Sequence, residues 1–492
     1  MEYGRLMQGI SYTGQLPASE AALVTQDSRK VVPGAVFVCV KGHSSDGHLF
    51  ARQALQAGAG LLVTQQPLGL EKEVVVQNSR AAYALLCRNF FGNPAQKITM
   101  VAVTGTNGKT TVSSVIKQML QNGGIQCGLI GTIRSEIGTM EIPAKFTTPE
   151  AWDLNALLHR MVAAGCTHVV MEASSQALEQ GRLYGLQFAL AIFTNLTRDH
   201  LDYHGTMENY YMAKKILFGQ CDAMLTNIDD EWGARLLQEA GCPRRYSFSC
   251  RQPAANFYAG DIQLAAGGVR FVLNTQAQRQ AVAFAMPGEY SVYNALAAGA
   301  AAVLLGLSPA EAAGQLAKVP GVAGRCEVLY DGGFTIICDF AHTGDAMEKL
   351  LSTLRPFVKG RMLVLFGCAG NRDPVKRGPM GQAAAEYGDL VFLTSDNPRS
   401  ESETAIAAGA LPPLQKKQIP CYVELNREKA LHKALGLLAA GDMLVLCGKG
   451  HEDYQVLDGV TVYLSERQIV LDWLETRALP EEATSAASNL PG

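Results

Sequence analysis

Short apolar runs alternate along the chain with longer segments of helical apolar spacing, and this pattern divides it into three blocks. A run of about four to eight apolar residues is typical of a buried strand, and apolar residues repeating every three or four positions are typical of an amphipathic helix. In the first block, residues 1–96, the pattern predicts one helix at 80–91 and strands at 35–40, 60–64 and 73–76. Asn93-Pro94 then marks a linker.

The second block, residues 97–323, continues the alternation. Strands are predicted at 98–103, 127–130, 167–172 and 189–194, with helices at 111–122, 150–164 and 209–217. This order indicates a mainly parallel sheet flanked by helices. Strict alternation of apolar and polar residues near 260–285 predicts a few short antiparallel strands. An alanine-rich helix is predicted next, at 292–305, and a turn-rich stretch at 320–324 marks the end of the block.

The third block, residues 324–477, has the same rhythm. Its predicted strands are 334–339, 361–367, 389–395, 420–423 and 442–447, and its predicted helices are 345–356, 378–387, 402–414 and 427–439. We expect a Rossmann-like, doubly wound domain whose ligand groups lie at the carboxyl ends of the strands. The fold class is therefore α/β, and residues 478–492 lack a pattern and are predicted to be a mobile tail.

Composition limits the function classes. A net charge of −3 over 492 residues gives no reason to expect a nucleic-acid or membrane-surface partner, and no apolar run reaches the ~18 residues of a membrane span. Twelve cysteines lie in apolar surroundings without a CxxC pair, which favours buried free thiols. With no apolar signal region at the N-terminus, we expect a protein of the reducing cytoplasm.

The most informative motif runs from Thr104 to Thr111, Thr-Gly-Thr-Asn-Gly-Lys-Thr-Thr, between a predicted strand and a predicted helix. Glycines let backbone N–H groups converge on phosphate oxygens, a lysine neutralises the outer phosphates, and a threonine hydroxyl can bind Mg²⁺. The standard spacing needs glycine at 103, where this chain has Val103. A chance Gly-Lys-Thr in a turn is the alternative, and the flanking strand and helix argue against it.

Polar groups also follow two later strands of the second block. Glu172 ends the predicted strand at 167–172, where a carboxylate near a phosphate loop suits Mg²⁺, although it could instead cap the next helix. The segment 195–205 carries many titratable groups, among them His200, which could bind a second metal as a neutral imidazole. Lys214 lies on a predicted helix, and two adjacent lysines there are most simply a solvated face.

Three post-strand loops of the third block carry arginines, acids and glycines, at 367–373, 395–399 and 448–452. In a doubly wound domain such loops converge on one crevice. Arg372 and Arg399 could each grip a carboxylate, and Asp396 or Glu452 could hold an ammonium group. That set fits an amino-acid zwitterion. The alternative, that these are ordinary turn residues between strands and helices, accounts for the glycines better than for the arginines.

Together these residues resemble the Mur ligases, ATP-dependent amino-acid ligases of peptidoglycan synthesis, and among them the MurE type. The resemblance covers roughly residues 20–475, and its markers are 104–111, Glu172-Ala173-Ser174-Ser175, 195–204, Ala213-Lys214-x-x-Leu217-Phe218, Asp339-Phe340-Ala341-His342 and Asp396-Asn397-Pro398-Arg399. Three places depart from the family's usual pattern: Phe340 stands where tyrosine is usual, Gly344 where proline is usual, and Ala369-Gly370-Asn371-Arg372-Asp373 where Gly-Gly-Asp-Arg-Asp is usual.

The resemblance implies three domains, for a UDP-sugar, for ATP and for the incoming amino acid, and a site residue set for each. It implies that Lys214 is carbamylated and that ATP with Mg²⁺ is used, the catalytic residues being Lys109, Glu172, His200 and Lys214 and the metal ligands Thr110, Glu172, His200 and Lys214. ATP would be contacted by the phosphate-loop residues Gly105, Thr106, Asn107, Gly108, Lys109, Thr110 and Thr111. Asn294 and His342 would contact its adenine, Asp339 its ribose, and Arg325 its phosphates. UDP-sugar and muramoyl-peptide contacts would be Ser28, His43, Ser44, Ser45, Thr147, Thr148, Ser174, Gln180 and Arg182. Amino-acid contacts would be Arg372, Asp396, Asn397, Pro398, Arg399, Gly448 and Glu452.

In this type the run at 396–399 accompanies meso-2,6-diaminopimelate, and lysine-adding relatives usually lack its arginine. The resemblance therefore predicts a monomer that joins diaminopimelate to UDP-N-acetylmuramoyl-L-Ala-D-Glu. The second carboxylate of diaminopimelate needs a cation, which Arg399 supplies. A ligase adding lysine to the same nucleotide, a folylpolyglutamate synthetase and a phosphate-loop regulatory NTPase are the alternatives.

Overall fold

The structure is a computed structural model that describes residues 1–42, 45–265 and 267–482. These residues form two compact units, the first made of 1–260, 272–280 and 293–318 and the second of 261–271, 281–292 and the described residues from 319 onward. The division after Lys318 lies close to the predicted start of the third block. Three larger sheets follow one another along the chain, and the residue limits of the three predicted blocks stay predictions.

The N-terminal sheet has five short strands. They are β1 (Tyr12–Gly14), β2 (Val24–Thr25), β3 (Val36–Val38), β4 (Leu61–Thr64) and β5 (Glu73–Val76), in the order β1-β5-β4-β3-β2. All pairs are parallel except β1 with β5. The helices are α1 (Tyr3–Leu6), α2 (Ala51–Gln56) and α3 (Ser79–Phe90). The sequence predicted β5 at its observed limits, whereas β1 and β2 are too short to give a periodic signal.

The first unit also holds the central sheet, with parallel strands at its heart. The strands are β6 (Thr99–Thr104), β7 (Cys127–Ile130), β8 (Arg134–Ile137), β9 (Met140–Pro143), β10 (His168–Glu172), β11 (Leu190–Phe193), β12 (Ala223–Asn227) and β13 (Arg244–Ser249), followed by β14 (Phe257–Ala265), whose residues from 261 onward belong to the second unit. From β13 to β9 their order is β13-β12-β11-β6-β10-β7-β8-β9, and only the β7-β8-β9 pairs are antiparallel. Because β6 lies between β10 and β11, the segments that follow these three strands share one edge.

The helices of this region are α4 (Lys109–Asn122), α5 (Ala151–Ala163), α6 (Ser175–Glu179), α7 (Leu201–His204), α8 (Met207–Lys215) and α9 (Glu231–Glu239). Helix α4 begins directly after Gly108 and buries its apolar positions, among them Val112, Ile116 and Leu120. Further on are β15 (Gly268–Asn274), β16 (Arg279–Phe284), α10 (Glu289–Leu304) and α11 (Pro309–Leu316), so strands do occupy the alternating stretch.

The second unit contains the six-stranded sheet. Its strands are β17 (Glu327–Asp331), β18 (Thr335–Asp339), β19 (Met362–Cys368), β20 (Leu390–Ser395), β21 (Cys421–Val423) and β22 (Met443–Cys447), in the order β17-β18-β22-β19-β20-β21, parallel apart from β17. The helices are α12 (Gly344–Leu354), α13 (Arg377–Tyr387), α14 (Glu403–Lys416), α15 (Arg427–Gly436) and α16 (Glu466–Glu482), and a hairpin is formed by β23 (Tyr454–Leu457) and β24 (Val460–Tyr463). The α/β class with a doubly wound third block is confirmed.

Helix α16 continues past residue 478, where we expected a patternless tail to start. Residues 483–492 lie outside the described part of the chain. All twelve cysteines are free thiols, as expected, and no helix among the described residues is long and apolar enough to span a bilayer.

Candidate active site

The phosphate loop after β6 depends on Gly105. Its φ of +147° is strained for residues with a side chain, and a Cβ there would lie 1.9 Å from Thr194 Oγ1. The Thr194 hydroxyl donates to the Asn107 carbonyl at 2.6 Å. The loop therefore packs directly on the end of β11, which is possible only because position 105 has no side chain.

The polar segment that follows β11 holds the rest of this loop. The Asn195 carbonyl accepts from the Thr106 N–H at 2.8 Å, and Asn195 Oδ1 accepts from the Asn107 N–H at 3.0 Å. The Thr197 N–H donates to Thr106 Oγ1 at 3.0 Å. The structure thus brings together the phosphate loop and part of the 195–205 segment, and it gives Asn195 and Thr197 of that segment a loop-shaping role.

Two lysines of the predicted site meet at one carbonyl of the loop. Lys109 Nζ donates to the Gly105 and Thr106 carbonyls at 2.9 Å, and Lys214 Nζ donates to the Gly105 carbonyl at 2.8 Å. Lys214 is 1% exposed, and its Nζ lies 4.5 Å from the centre of the Tyr210 ring. Lys214 is therefore a buried member of the site rather than part of a solvated helix face.

Burial lowers the pKa of Lys214 well below its ordinary value, and the neighbouring Lys109 charge acts in the same direction while Asp199 opposes it. A lowered pKa increases the fraction of neutral amine, which is the form that adds to CO₂. The structure therefore favours the neutral, nucleophilic form of the Lys214 amine in this site.

Glu172 at the end of β10 is buried beside the first turn of α4. Its Oε2 accepts from the hydroxyls of Thr110 at 3.0 Å and Thr132 at 2.9 Å, and its Oε1 accepts from the Thr132 N–H at 2.7 Å. Among the described residues, no group of three His, Cys, Asp or Glu side chains is placed to hold a metal. One carboxylate beside a threonine hydroxyl still fits Mg²⁺, because nucleotide phosphates and water normally provide its remaining ligands.

His200 lies at the N-terminus of α7 with a φ of +51° and its side chain half-exposed. Partial burial lowers the pKa of its imidazole, and Asp199 opposes this shift. The ring meets the Tyr210 ring edge-on, with centroids 6.3 Å apart. The imidazole is therefore favoured in the neutral form that a metal would require.

The residues predicted for the muramoyl peptide surround the end of β10. Thr148 Oγ1 donates to the Glu172 carbonyl at 2.8 Å and accepts from the Ser174 N–H at 3.0 Å. Arg182 donates to the Thr148 carbonyl at 2.9 Å and to Gln180 Oε1 at 2.7 Å. Thr147 joins them through a hydroxyl contact of 3.1 Å to Thr132. The five residues that the resemblance assigned therefore form one connected group.

Only some of the residues predicted to contact the UDP-sugar belong to the part of the chain that the structure describes. Ser28 begins a short 3₁₀ helix, Ser28–Lys30, whose N-cap is Asp27. The Ser45 carbonyl accepts from the Gly42 N–H at 2.8 Å. His43 and Ser44 lie outside the described residues.

The residues predicted to contact ATP beyond the phosphate loop fall in both units. In the first unit, Asn294 lies against the loop, since a Cβ at Gly108 would be 2.6 Å from its Oδ1. In the second unit, Arg325 lies 4.8 Å from the centre of the Phe340 ring, which contacts His342 at 4.7 Å. Arg325 and His342 therefore flank the phenylalanine that stands in the family's tyrosine position.

Asp339, at the end of β18, accepts the N–H groups of Cys326 at 2.6 Å and Ala341 at 2.7 Å. Burial raises its pKa, and Arg325 opposes the shift. Close by in sequence, Gly344 begins α12, and a Cβ there would lie 2.4 Å from Pro379 Cβ. The departure from proline at this position is therefore explained by the close approach of α13.

The three polar loops of the second unit do converge. The Gly370 N–H donates to the Asn397 carbonyl at 2.9 Å, and Arg399 Nη1 donates to the Gly370 carbonyl at 2.7 Å. Asn397 Nδ2 donates to Glu452 Oε2 at 3.2 Å, which links the loop after β20 to the loop after β22. Arg372 is exposed to solvent. Glu452, Asn397 and Arg399 thus belong to one hydrogen-bonded group that connects the three loops.

Four residues in or beside these loops were not singled out from the sequence. They are Thr132 and Thr194, Lys449, which donates to Asn397 and Glu452, and Arg427, which donates to the Ser395 and Cys447 carbonyls. Thr132 and Thr194 follow β7 and β11, so the strand-end rule that found Glu172 could have found them. Lys449 lies inside a recognised loop but resembles a surface lysine in sequence. Arg427 begins α15 and carries no sequence signal for burial.

Comparison with known proteins identifies the family of this chain. Residues 20–86 match the Mur ligase family catalytic domain, residues 103–302 the Mur ligase middle domain, and residues 324–450 the Mur ligase glutamate ligase domain. The chain is 39% identical to a UDP-N-acetylmuramoyl-L-alanyl-D-glutamate--2,6-diaminopimelate ligase of Clostridium perfringens, over 96% of this chain and 99% of that protein. It is 39% identical to the enzyme of that name from Listeria innocua, over 95% and 97%.

A solved structure titled as the same ligase superposes with a TM-score of 0.73 at 31% identity, covering 97% of this chain and 99% of the other. Matches of this extent cover all three blocks rather than the ATP-binding block alone. The chain belongs to the Mur ligase family and has its three-domain architecture.

Proposed function

We propose that this protein is an ATP-dependent ligase that joins meso-2,6-diaminopimelate to the D-glutamyl γ-carboxylate of UDP-N-acetylmuramoyl-L-Ala-D-Glu in peptidoglycan synthesis. The observation that carries the proposal is the near-complete, 39% identical match to ligases named for this reaction. The site supports it independently, because it combines a phosphate loop, a peptide-side polar group and an amino-acid crevice.

The first step is phosphoryl transfer from ATP to the γ-carboxylate, which forms an acyl phosphate and ADP. Lys109 and the N-terminus of α4 lie at the loop where the transferring charge develops, and such charge stabilisation is the main catalytic requirement of phosphoryl transfer. Lys109 donates to two backbone carbonyls of the loop, so we expect the ATP phosphates to compete with these acceptors for its ammonium group.

Thr110 and Glu172 are the residues we assign to Mg²⁺, with His200 and carbamylated Lys214 as further ligands. When bound, the cation would offset phosphate charge and hold phosphate oxygens in place. Thr132 keeps the Glu172 carboxylate oriented through its N–H and hydroxyl. A carbamate on Lys214 would convert the buried amine into an anion, which the neighbouring Lys109 would attract.

In the second step the free amine of diaminopimelate attacks the acyl phosphate, and the tetrahedral intermediate releases inorganic phosphate and leaves an amide. Thr148, Ser174 and Arg182 would hold the peptide whose carboxylate is activated. Arg182 also forms a 2.9 Å ion pair with Glu150, so its guanidinium is already oriented before substrate binds.

The amino-acid crevice supports diaminopimelate over lysine. Arg399 is fixed by its bond to the Gly370 carbonyl and by a backbone N–H bond to Val456 at 3.1 Å. A guanidinium held in this way provides a partner for a second carboxylate, which diaminopimelate has and lysine lacks. We place the reaction in the cytoplasm, in a monomer, and the twelve free thiols fit a reducing compartment.

The test is whether ADP release depends on both co-substrates. Wild-type protein should release ADP only when UDP-N-acetylmuramoyl-L-Ala-D-Glu and diaminopimelate are both present. Lys109→Ala should reduce this rate by at least ~10³-fold, since one preorganised charge contact is worth about that much. Lys318→Ala, an exposed lysine of the same unit, is the matched control and should be unaffected. The proposal would be refuted if ADP release were as fast when one of the two co-substrates is left out as when both are present.

A further inference from the structure

Lys449 is a completely buried lysine in the loop after β22, between Gly448 and Gly450. Its side chain is 0% exposed, whereas lysines are almost never fully buried without a partner. A buried ammonium must be offset by nearby acceptors. Its surroundings therefore show what it is there to do.

Four oxygen atoms surround the Lys449 ammonium. Nζ forms an ion pair with Asp396 Oδ1 at 3.0 Å, and it donates hydrogen bonds to Asn397 Oδ1 at 3.0 Å and to Glu452 Oε2 at 3.1 Å. The fourth oxygen is the Tyr454 carbonyl, which accepts a hydrogen bond from Nζ at 2.8 Å. Three of the four belong to residues assigned to the incoming amino acid, so one cation connects both loops of the crevice.

The contact also fixes the orientation of the Asn397 amide. Asn397 Oδ1 accepts from Lys449 and from the Val456 N–H at 2.9 Å, so the amide oxygen faces these two donors. Its Nδ2 must then point to Glu452, as it does at 3.2 Å. Without Lys449 the amide could turn over and present the opposite polarity to a ligand.

The charge count has a direct consequence for the ligand. Asp396 and Glu452 together carry two negative charges, and the adjacent Lys449 reduces their sum to one. One net negative charge matches one ammonium group, while Arg399 matches one carboxylate. One ammonium and one carboxylate are the groups at the non-reacting end of a diamino diacid. Two uncompensated acids would instead favour a diamino monoacid, whose non-reacting end bears only an ammonium.

We propose that Lys449 is a positioning residue that sets the charge of the amino-acid crevice and thereby its preference for a diamino diacid over a diamino monoacid. The inference rests on the proposed function and adds to it a residue that acts through Asp396, Asn397 and Glu452. Lys449 does not need to touch the substrate. Its effect is on which amino acid binds, not on ATP use.

The test compares wild type, Lys449→Met and the charge-balanced double variant Lys449→Met/Glu452→Gln in the full-length protein. In the single variant the KM for diaminopimelate should rise at least tenfold, while the KM for ATP changes less than twofold. The ratio of kcat/KM for diaminopimelate to that for lysine should also fall at least tenfold. The double variant should recover part of both losses, because it returns the acid pair to one net charge.

Three results keep this inference separate from the proposed function. Wild type that does not use diaminopimelate would refute the function itself. Wild type that uses it, with a folded Lys449→Met variant of unchanged diaminopimelate KM and unchanged selectivity, would overturn the role of Lys449 alone. If the single variant does not fold, the double variant decides: selectivity within tenfold of wild type supports charge setting, and selectivity shifted toward lysine by tenfold or more refutes it.

Discussion

The buried ion pair between Arg427 and Glu466 should contribute far more to stability than a neighbouring exposed pair of the same chemistry. Arg427 Nε lies 2.8 Å from Glu466 Oε1, and the two side chains are 0% and 1% exposed. Arg427 also donates to the Ser395 carbonyl at 3.2 Å and to the Cys447 carbonyl at 2.9 Å. It therefore links α16 to the ends of the two strands that precede the amino-acid loops.

Arg427→Met removes the cation and leaves the Glu466 carboxylate buried without compensation. Breaking a buried pair in this way costs about 3–5 kcal/mol of unfolding free energy. For a unit of this size each kcal/mol lowers Tm by about 2–4 °C, so the expected decrease is about 6–20 °C. Replacing both partners, in Arg427→Met/Glu466→Leu, should recover most of the loss, because no unpaired charge remains buried.

Arg467→Met is the matched control. Arg467 is the next residue of α16 after Glu466, and its Nε lies 3.0 Å from Glu327 Oε1, but these side chains are 58% and 19% exposed. An exposed pair contributes less than ~1 kcal/mol, so Tm should fall by less than about 4 °C.

Unfolding of this unit can be followed through Trp473, its single tryptophan, in a Trp152→Phe/Trp232→Phe background. Trp473 packs against Phe334 with ring centroids 5.9 Å apart, so its fluorescence reports loss of that contact. Equal destabilisation by Arg427→Met and Arg467→Met would refute the burial argument.

Three other substitutions follow from the geometry. Gly105→Ala should abolish ATP binding in a calorimetric titration while the protein stays folded, because its Cβ would collide with Thr194; unchanged affinity would contradict the loop geometry. Lys214→Met should abolish ADP release. It should leave the free energy of unfolding unchanged or about 1 kcal/mol higher, because it removes a buried amine whose pKa is lowered by burial. A large destabilisation in urea would show that the amine is structurally required. Burial also lowers the pKa of His204, so the unfolded chain binds a proton that the native protein resists, and unfolding free energy should fall as pH drops below about 6.5; His204→Gln should flatten this slope in urea titrations, and an unaltered slope would assign it to other groups.

The sequence predicted the parts of the fold that have strong periodic signals. β5 and β7 were predicted at their observed limits, and the doubly wound order of the second unit follows from alternating strands and helices. β9 was missed because it is exposed and has no apolar run. β8, which precedes it, was missed as well. β12 was missed as well, although all five of its residues are buried, because polar Thr226 and Asn227 interrupt its apolar run.

The site was predictable where chemistry follows a strand end. Glu172 and Asp396 were found in this way, and both lie in dense polar networks. The burial of Lys214 and Lys449 was not predictable, because a lysine on a helix or in a glycine-rich loop has the same local pattern whether solvent or acceptors surround it. Long-range pairing decides this, as between Lys449 and Asn397, which lie 52 positions apart.

The most direct test of the central claim is an amino-acid panel with wild-type protein, ATP and UDP-N-acetylmuramoyl-L-Ala-D-Glu, in which ADP release and the amide product are measured together. We predict one ADP per amide with meso-2,6-diaminopimelate, and a kcat/KM for lysine or ornithine at least ~100-fold lower, because losing one buried charge-assisted contact costs about 3 kcal/mol. Lysine used as well as diaminopimelate, or ADP release without amide product, would contradict the account.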